Sequence, residues 1–226
     1  MSVEQHLRGL ATIKMLDDRH IAYLNYLRDH YGFTPAVCYD IGGCVLEWTK
    51  YAKLTWPETR IVAWEAMESV EFMYKEMGID YHIGVLSNED NKVVKFYEND
   101  HFPTGNSYYP ENPEISGTAR HAYTEANART KICMTVDTIR KQKDFPLPDL
   151  VKIDVQGCEI DILYGMKESL VNCQHLLVEL QHSDYNIGAK KMTESIPLIE
   201  AMGFKLETPQ FSSSGYDADY HFVKAN

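Results

Sequence analysis

The chain has 226 residues, room for one well-filled α/β domain (1–226) but not comfortably for two. Its 22 basic and 33 acidic side chains give a formal net charge of -11, and no cluster of Lys and Arg stands out, which disfavours a nucleic-acid partner. Five scattered cysteines form no C-x-x-C pair, the N-terminus is charged, and no apolar run approaches the ~20 residues of a membrane span, so a reduced, cytoplasmic protein without structural zinc is expected.

In chain order, Leu7, Leu10 and Ile13, then Ile21, Leu24 and Leu27, recur at three and four and predict one or two amphipathic helices within residues 1–34, a cover over the sheet. A first strand is predicted at 36–40, a helix at 44–54, and a second strand at 60–64 ending in Glu65. A helix at 68–77 stops at Gly78, and a third strand at 81–86 ends at Ser87 and Asn88. Two strands, 93–97 and 131–136, flank a polar stretch rich in Asn, Pro, Gly, Tyr and His, so residues of about 93–136 read as a β-containing insertion carrying a lid or binding loop. Order returns with a strand at 150–154, a helix at 159–170, a strand at 175–180, a helix at 193–202 and two terminal strands near 204–206 and 220–223. Short apolar runs alternating with helical periods predict a Rossmann-like, mostly parallel sheet with helices on both faces.

Two of these strands end alike. Val37-Cys38-Tyr39-Asp40-Ile41-Gly42-Gly43 and Leu150-Val151-Lys152-Ile153-Asp154-Val155-Gln156-Gly157-Cys158-Glu159 are apolar runs that deliver an aspartate and then break at glycine. Ligands of open α/β sheets bind at that edge. An acid in the first glycine turn repels phosphate and suits a cationic small molecule, for which S-adenosyl-L-methionine, with sulfonium and ammonium groups and no phosphate, is the better candidate. A nicotinamide dehydrogenase is a weaker reading, because the third glycine of its fingerprint is missing.

Together with Trp64-Glu65, Val85-Leu86-Ser87, Thr135-Val136-Asp137-Thr138-Ile139, Leu163, Gly165, Val178-Glu179 and Gly203-Phe204, these blocks make the chain resemble the FkbM family of S-adenosylmethionine-dependent O-methyltransferases over roughly 35–224. The resemblance implies a class I methyltransferase fold with a seven-stranded, mostly parallel sheet. It also implies methyl transfer to a hydroxyl of a small molecule or glycan, often on a sugar. Relatives usually continue the first turn with Asn and a later Gly, where this chain has Cys44, Val45 and Leu46. Gln156 stands where many carry Glu, which keeps hydrogen bonding but removes a charge and any proton-transfer role.

Several residues are candidates for the site. Asp40 would hold the methionine ammonium or nearby backbone N–H groups, with Gly42 and Gly43 letting the chain pass beneath the cofactor. Glu65, followed by Ala66, would accept the ribose hydroxyls; Ser87 and Asn88 would meet the adenine edge, or form an ordinary turn. Asp154, with Val155 beside it, would orient or deprotonate the acceptor, or else cap the next helix. Glu159 falls in that helix's first turn, where a favourable placement near the dipole suffices to account for it. Lys152 shares a strand face with Asp154 and is either a catalytic or a structural partner of it. His182 is a candidate general base with Glu179 orienting the acceptor, or a surface histidine. Asp154, Glu179 and His182 could instead hold a divalent metal, but no tight ligand motif is present, so no metal is expected. Tyr108, Tyr109, His121 and Tyr123 would suit stacking on a sugar ring, or plain loop packing. A binding module that has lost turnover, or an enzyme acting on a non-sugar metabolite, are the alternatives.

Overall fold

A computed structural model describes residues 1–115, 122–213 and 215–225. Two helices open the chain, α1 (Val3–Leu10) and α2 (Asp18–His30). Ser2 starts the first with a reciprocal capping box, its Oγ accepting from the Gln5 N–H while the Gln5 side chain accepts from the Ser2 N–H. Asp17 caps the second through the Arg19 N–H. The Glu47 carboxylate accepts from the N–H groups of Met15 and Leu16 and so fastens the connection between them to the sheet layer.

The strands β1 (Val37–Ile41), β2 (Arg60–Glu65), β3 (Asp80–Ile83), β6 (Leu150–Ile153), β7 (His175–Gln181), β8 (Phe204–Ser213) and β9 (Asp217–Lys224) form one sheet in the order β3-β2-β1-β6-β7-β9-β8. Pairing is parallel from β3 through to β7, and β9 runs against both of its neighbours. The parallel strands are buried on both faces, which is why they read as continuous apolar runs. On one face Cys38, Ile61, Leu150 and Leu177 pack with Leu24, Leu27, Trp48 and Trp56 of α2, α3 (Glu47–Thr55) and the turn after it. On the other, Tyr39, Trp64, Val151, Ile153 and Val178 pack with Ile139, Ile162 and Ile199 from α5 (Val136–Lys143), α6 (Glu159–Tyr164) and α7 (Met192–Ala201). Leu7 of α1 joins Met67, Val70 and Tyr74 around α4 (Glu71–Met77). No helix among the described residues is long and apolar enough to cross a membrane.

Four local expectations are corrected. The helix predicted at 44–54 begins only at Glu47, because Cys44 and Leu46 adopt left-handed φ values of 44° and 63°. The third strand stops at Ile83; Gly84 (φ 158°) turns the chain, and Leu86 then makes only a bridge with Met134. The second insertion strand lies three residues earlier than predicted, at β5 (Ala128–Ile132), pairing antiparallel with β4 (Val93–Tyr97), while Val136 opens α5 behind a Thr135 cap. The apolar run of 131–136 concealed that change of element. The helix predicted at 159–170 ends at Tyr164, and a separate short 3-10 turn covers Ser169–Val171.

Candidate functional site

The chain runs from β1 outward to β2 on one side and crosses to β6 on the other, so the C-terminal ends of β1 and β6 flank the topological switch point, where open α/β sheets place a ligand crevice. A cleft of about 520 Å³ opens there. Its floor is Ile41, Gly42, Glu65 and Ala66 on one side and Asp154, Val155, Gln156 and Glu179 on the other. Phe102 to Asn106, Tyr108, Glu111 and Tyr123 of the insertion form the roof. The roof is pinned by the Ser107 Oγ, which donates to the Gln156 carbonyl at 2.8 Å, and by a bridge between Glu111 and Asn186.

Gly42 makes the floor possible. It sits at φ 84°, and a Cβ there would lie 1.8 Å from the Asp154 carbonyl oxygen, so only glycine lets β1 and β6 close beneath a ligand. The N–H groups of Gly42 and Gly43 donate to the Trp64 carbonyl, and Cys44 N–H donates to the Glu65 carboxylate at 2.8 Å, lashing the turn to the tip of β2. The other Glu65 oxygen accepts from the N–H groups of Ala66 and Met67. Burial nevertheless pushes the Glu65 carboxyl up. The side chain is fixed, half-buried and lines the cleft, with acceptor capacity left for one hydroxyl on Oε2.

Asp40 departs from the sequence reading. It is fully buried beneath the floor and does not line the cleft; one oxygen accepts from Thr49 Oγ at 2.6 Å and the other stands 3.5 Å from Lys152 Nζ. Lys152, buried as well, reaches Asp154 Oδ2 at 3.3 Å and donates to the Gly42 carbonyl at 3.4 Å. It is a sealed cation bridging two carboxylates under the cleft, which rules out direct contact with an acceptor. The reason is alternation: Asp40 and Lys152 are register partners on adjacent strands, and their side chains share the covered face.

Asp154 and Glu179 meet in the cleft. Burial pushes the Asp154 carboxyl up, but the Lys152 ammonium and a hydrogen bond from Glu179 outweigh it and hold it below the usual carboxylate range. Burial and the Asp154 charge push Glu179 well above that range. The two carboxyls thus shift in opposite directions because they interact, and Gln156 Nε2 donates to the Glu179 carboxyl at 2.9 Å.

Glu159 has a different role from the helix-dipole partner expected of it. Its Oε1 accepts from the N–H groups of Gly157 at 2.9 Å and Val155 at 3.3 Å, tying together a turn in which Gln156 and Gly157 have φ values of 57° and 92°. The acid of the Lys-Ile-Asp-Val-Gln-Gly-x-Glu block is thus a buried clasp. Burial pushes its carboxyl up to about 7. Because the folded state binds this proton more tightly, the group contributes stability at low pH and withdraws it as pH climbs from 4.5 to about 7. Glu159→Gln keeps the acceptor and removes the titration. The stability of wild type relative to this variant should fall by roughly 3 kcal/mol across that window in urea unfolding at pH 5 and 7.5, and a pH-independent difference would contradict the clasp's burial.

The remaining candidates are divided. Ser87 is buried against Lys92 and Tyr108, and Asn88 is exposed; neither lines the cleft, whose wall at that point is Gly84, Val85 and Leu86. Gly43 lies behind the floor against Tyr74. His182 is exposed, its Nε2 2.7 Å from the Tyr220 hydroxyl, and it does not line the cleft. Among the described residues, no three His, Cys, Asp or Glu side chains are placed to hold a metal. Tyr108 and Tyr123 line the roof, the Tyr109 hydroxyl is turned to Asp161, and His121 lies outside the described residues. Sequence reasoning missed Glu111, Tyr185, Tyr216 and Asp217, which also line the cleft. No local pattern marks them, since they come from the insertion, the loop after β7 and the start of β9.

The parallel sheet with an antiparallel β9, and a glycine-floored, acid-lined cleft at its switch point, define a class I methyltransferase. The methyltransferase FkbM domain model matches residues 40–206, and the chain belongs to that family of S-adenosylmethionine-dependent methyltransferases. No curated protein matches the chain in sequence. Among solved structures, it is similar to human N-acetylserotonin methyltransferase in complex with SAM (TM-score 0.52, 12% identity, covering 99% of this chain and 56% of that one). It is also similar to precorrin-6y C5,15-methyltransferase from Geobacter metallireducens GS-15 (TM-score 0.50, 14% identity, 95% and 93%). These likenesses concern the fold, and the chain spans little more than half the length of the human enzyme.

The residues present fit the cofactor, S-adenosylmethionine. Gly42 lets the first turn close against the Asp154 backbone beneath the cleft, Glu65 offers a fixed acceptor, and Val85 and Leu86 supply an apolar wall for a base.

Proposed function

We propose that the protein transfers a methyl group to a hydroxyl of a small molecule or glycan, in first place a sugar hydroxyl. The observation that carries this reading is that the Asp154 and Glu179 carboxyls both line the cleft, Asp154 Oδ2 standing 3.3 Å from Lys152 Nζ and Glu179 accepting from Gln156 Nε2 at 2.9 Å. The bound cofactor supplies the electrophilic methyl of its sulfonium. Gly42, Glu65, Ala66 and Val155 would hold it, Glu65 by a hydroxyl of the ribose, with Val85 and Leu86 as the apolar wall for the base. Asp154 accepts the hydrogen bond of the acceptor hydroxyl and so aims its lone pair. An oxygen that is gaining a methyl group becomes strongly acidic, so even a carboxylate held below its usual range suffices to take the proton. Lys152 keeps Asp154 ionised from beneath, and Glu179, steadied by Gln156, fixes its orientation. The roof of the insertion excludes water. The five unpaired cysteines accord with a cytoplasmic setting.

Calorimetry with S-adenosylmethionine and release of S-adenosylhomocysteine with a panel of sugars test this. Asp154→Asn and Glu179→Gln should each lower kcat by about 10²- to 10⁴-fold with cofactor affinity retained, while His182→Ala stays within about threefold of wild type. Full activity in Asp154→Asn would remove the proposed base. Cofactor binding without turnover on any acceptor would favour a non-catalytic binding module, which the strained Cys44 and Leu46 in the cofactor turn make the second reading. Turnover on non-sugar alcohols alone would move the acceptor to another metabolite class.

A further inference from the structure

The cleft is charged on one side only. Five acidic side chains, Glu65, Glu111, Asp154, Glu179 and Asp217, line it, and no Lys, Arg or His does among the described residues. Lys152 is sealed under the floor between Asp40 and Asp154. Among the described residues, a phosphorylated or carboxylated acceptor would meet no counter-charge and several acids.

Glu111 is the informative member. It is nine-tenths buried, yet its Oε2 has no hydrogen-bond partner among the described residues, while Oε1 accepts from the Tyr185 hydroxyl at 3.0 Å. A buried carboxylate oxygen without a donor is costly unless a ligand supplies one. The backbone around it is held firmly: Asn112 N–H donates to the Tyr185 carbonyl and Ile187 N–H to the Pro110 carbonyl, flanking the bridge to Asn186. Tyr185 stacks on Tyr216 with centroids 5.3 Å apart, and Asp217 follows at the start of β9. A cleft carboxylate oxygen without a donor among the described residues, beside aromatic faces and a second acid, has the chemistry that recognises an ammonium group. These groups stand above β7 and β9, on the opposite side of Asp154 from Gly42 and Glu65, so they face the acceptor rather than the ribose.

We propose that Glu111, Asp217 and the Tyr185–Tyr216 stack form a subsite for a protonated amine of the acceptor, so that the methylated alcohol belongs to an amino sugar. This rests on the methyl-transfer reading for which hydroxyl reacts, but the amine subsite is measurable without turnover. Protein saturated with S-adenosylhomocysteine, whose own ammonium is then already in place, is titrated by NMR with glucosamine, galactosamine and mannosamine, with their neutral parent sugars, with N-acetylglucosamine and with glucose 6-phosphate. At least one amino sugar should bind about tenfold or more tightly than its parent sugar and its N-acetyl form, and the phosphate should bind weakest. Glu111→Gln should abolish the preference while leaving the unfolding temperature and S-adenosylhomocysteine affinity unchanged, and Tyr216→Ala should weaken it severalfold. Equal binding of amino and neutral sugars, tighter binding of the phosphate, a preference that survives Glu111→Gln, or a Glu111→Gln effect confined to S-adenosylhomocysteine affinity would overturn the proposal. If S-adenosylhomocysteine does not bind, the methyl-transfer reading fails by itself, and the titrations on the bare protein still decide the amine subsite.

Discussion

Gly42→Ala is expected to destroy cofactor binding and to destabilise the fold by about 3 kcal/mol or more. Two costs add. A non-glycine residue at φ 84° is strained, and its Cβ would stand 1.8 Å from the Asp154 carbonyl oxygen, which is backbone and cannot rotate away. Relief requires β6 to part from β1 where Asp154 N–H donates to the Ile41 carbonyl at 3.0 Å, and that separation moves the Asp154 side chain as well. Urea unfolding reports the first effect and calorimetry with S-adenosylmethionine the second, with an affinity loss of about 100-fold or more. Gly43→Ala is the contrast. Its Cβ would meet only the Tyr74 hydroxyl, at 2.6 Å, and the tip of a side chain can yield, so a milder loss is expected. A Gly42→Ala protein that unfolds like the wild type and binds the cofactor normally would show that the floor is not where ligand and backbone meet.

Lys152→Met should destabilise the protein by about 3–5 kcal/mol at neutral pH, because it leaves the buried Asp40 and Asp154 carboxylates without a counter-charge. Asp40 bears most of that cost, being fully buried with Oδ1 lacking any hydrogen bond among the described residues. Burial lowers the affinity of Lys152 for its proton, but the charges of Asp154 and Asp40 raise it by more, so the wild-type contribution is fully present below the ordinary lysine range and lost only far above neutrality. In the variant the deficit should shrink as pH falls, because protonating Asp154 removes a charge that Lys152 no longer offsets. Asp40→Asn combined with Lys152→Met should recover part of the loss, since it removes a charge from each side of the bridge. Thermal unfolding of the single and double variants at pH 5 and 7.5 checks all three statements. A single variant equally stable at both pH values would mean that water, not Lys152, solvates these acids.

Much of the candidate site was readable locally because it lies on strand tips, where a buried apolar run ending in an acid and a glycine marks the edge at which a parallel sheet meets its ligand. Gly42, Glu65, Ala66, Asp154, Val155 and Glu179 all line the cleft. Asp40 and Lys152 were drawn to the site by the same pattern but belong beneath it. A strand's side chains alternate between its two sides, and the sequence of one strand does not say which side faces the ligand. Ser87 and Asn88 were displaced because Gly84 ends β3 early, and His182 because the chain past β7 turns its ring to Tyr220.

The sequence by itself determined the fold class, the strands of the parallel core, the family and the cofactor, because these rest on periodicity and on motifs a few residues long. The tertiary structure alone decided which acids meet in the cleft, which are sealed under the floor, and that Glu111, Tyr185, Tyr216 and Asp217 join one cleft. Burial and Coulombic coupling depend on distances between residues far apart in the chain, and those distances exist only once the insertion has folded across the sheet edge.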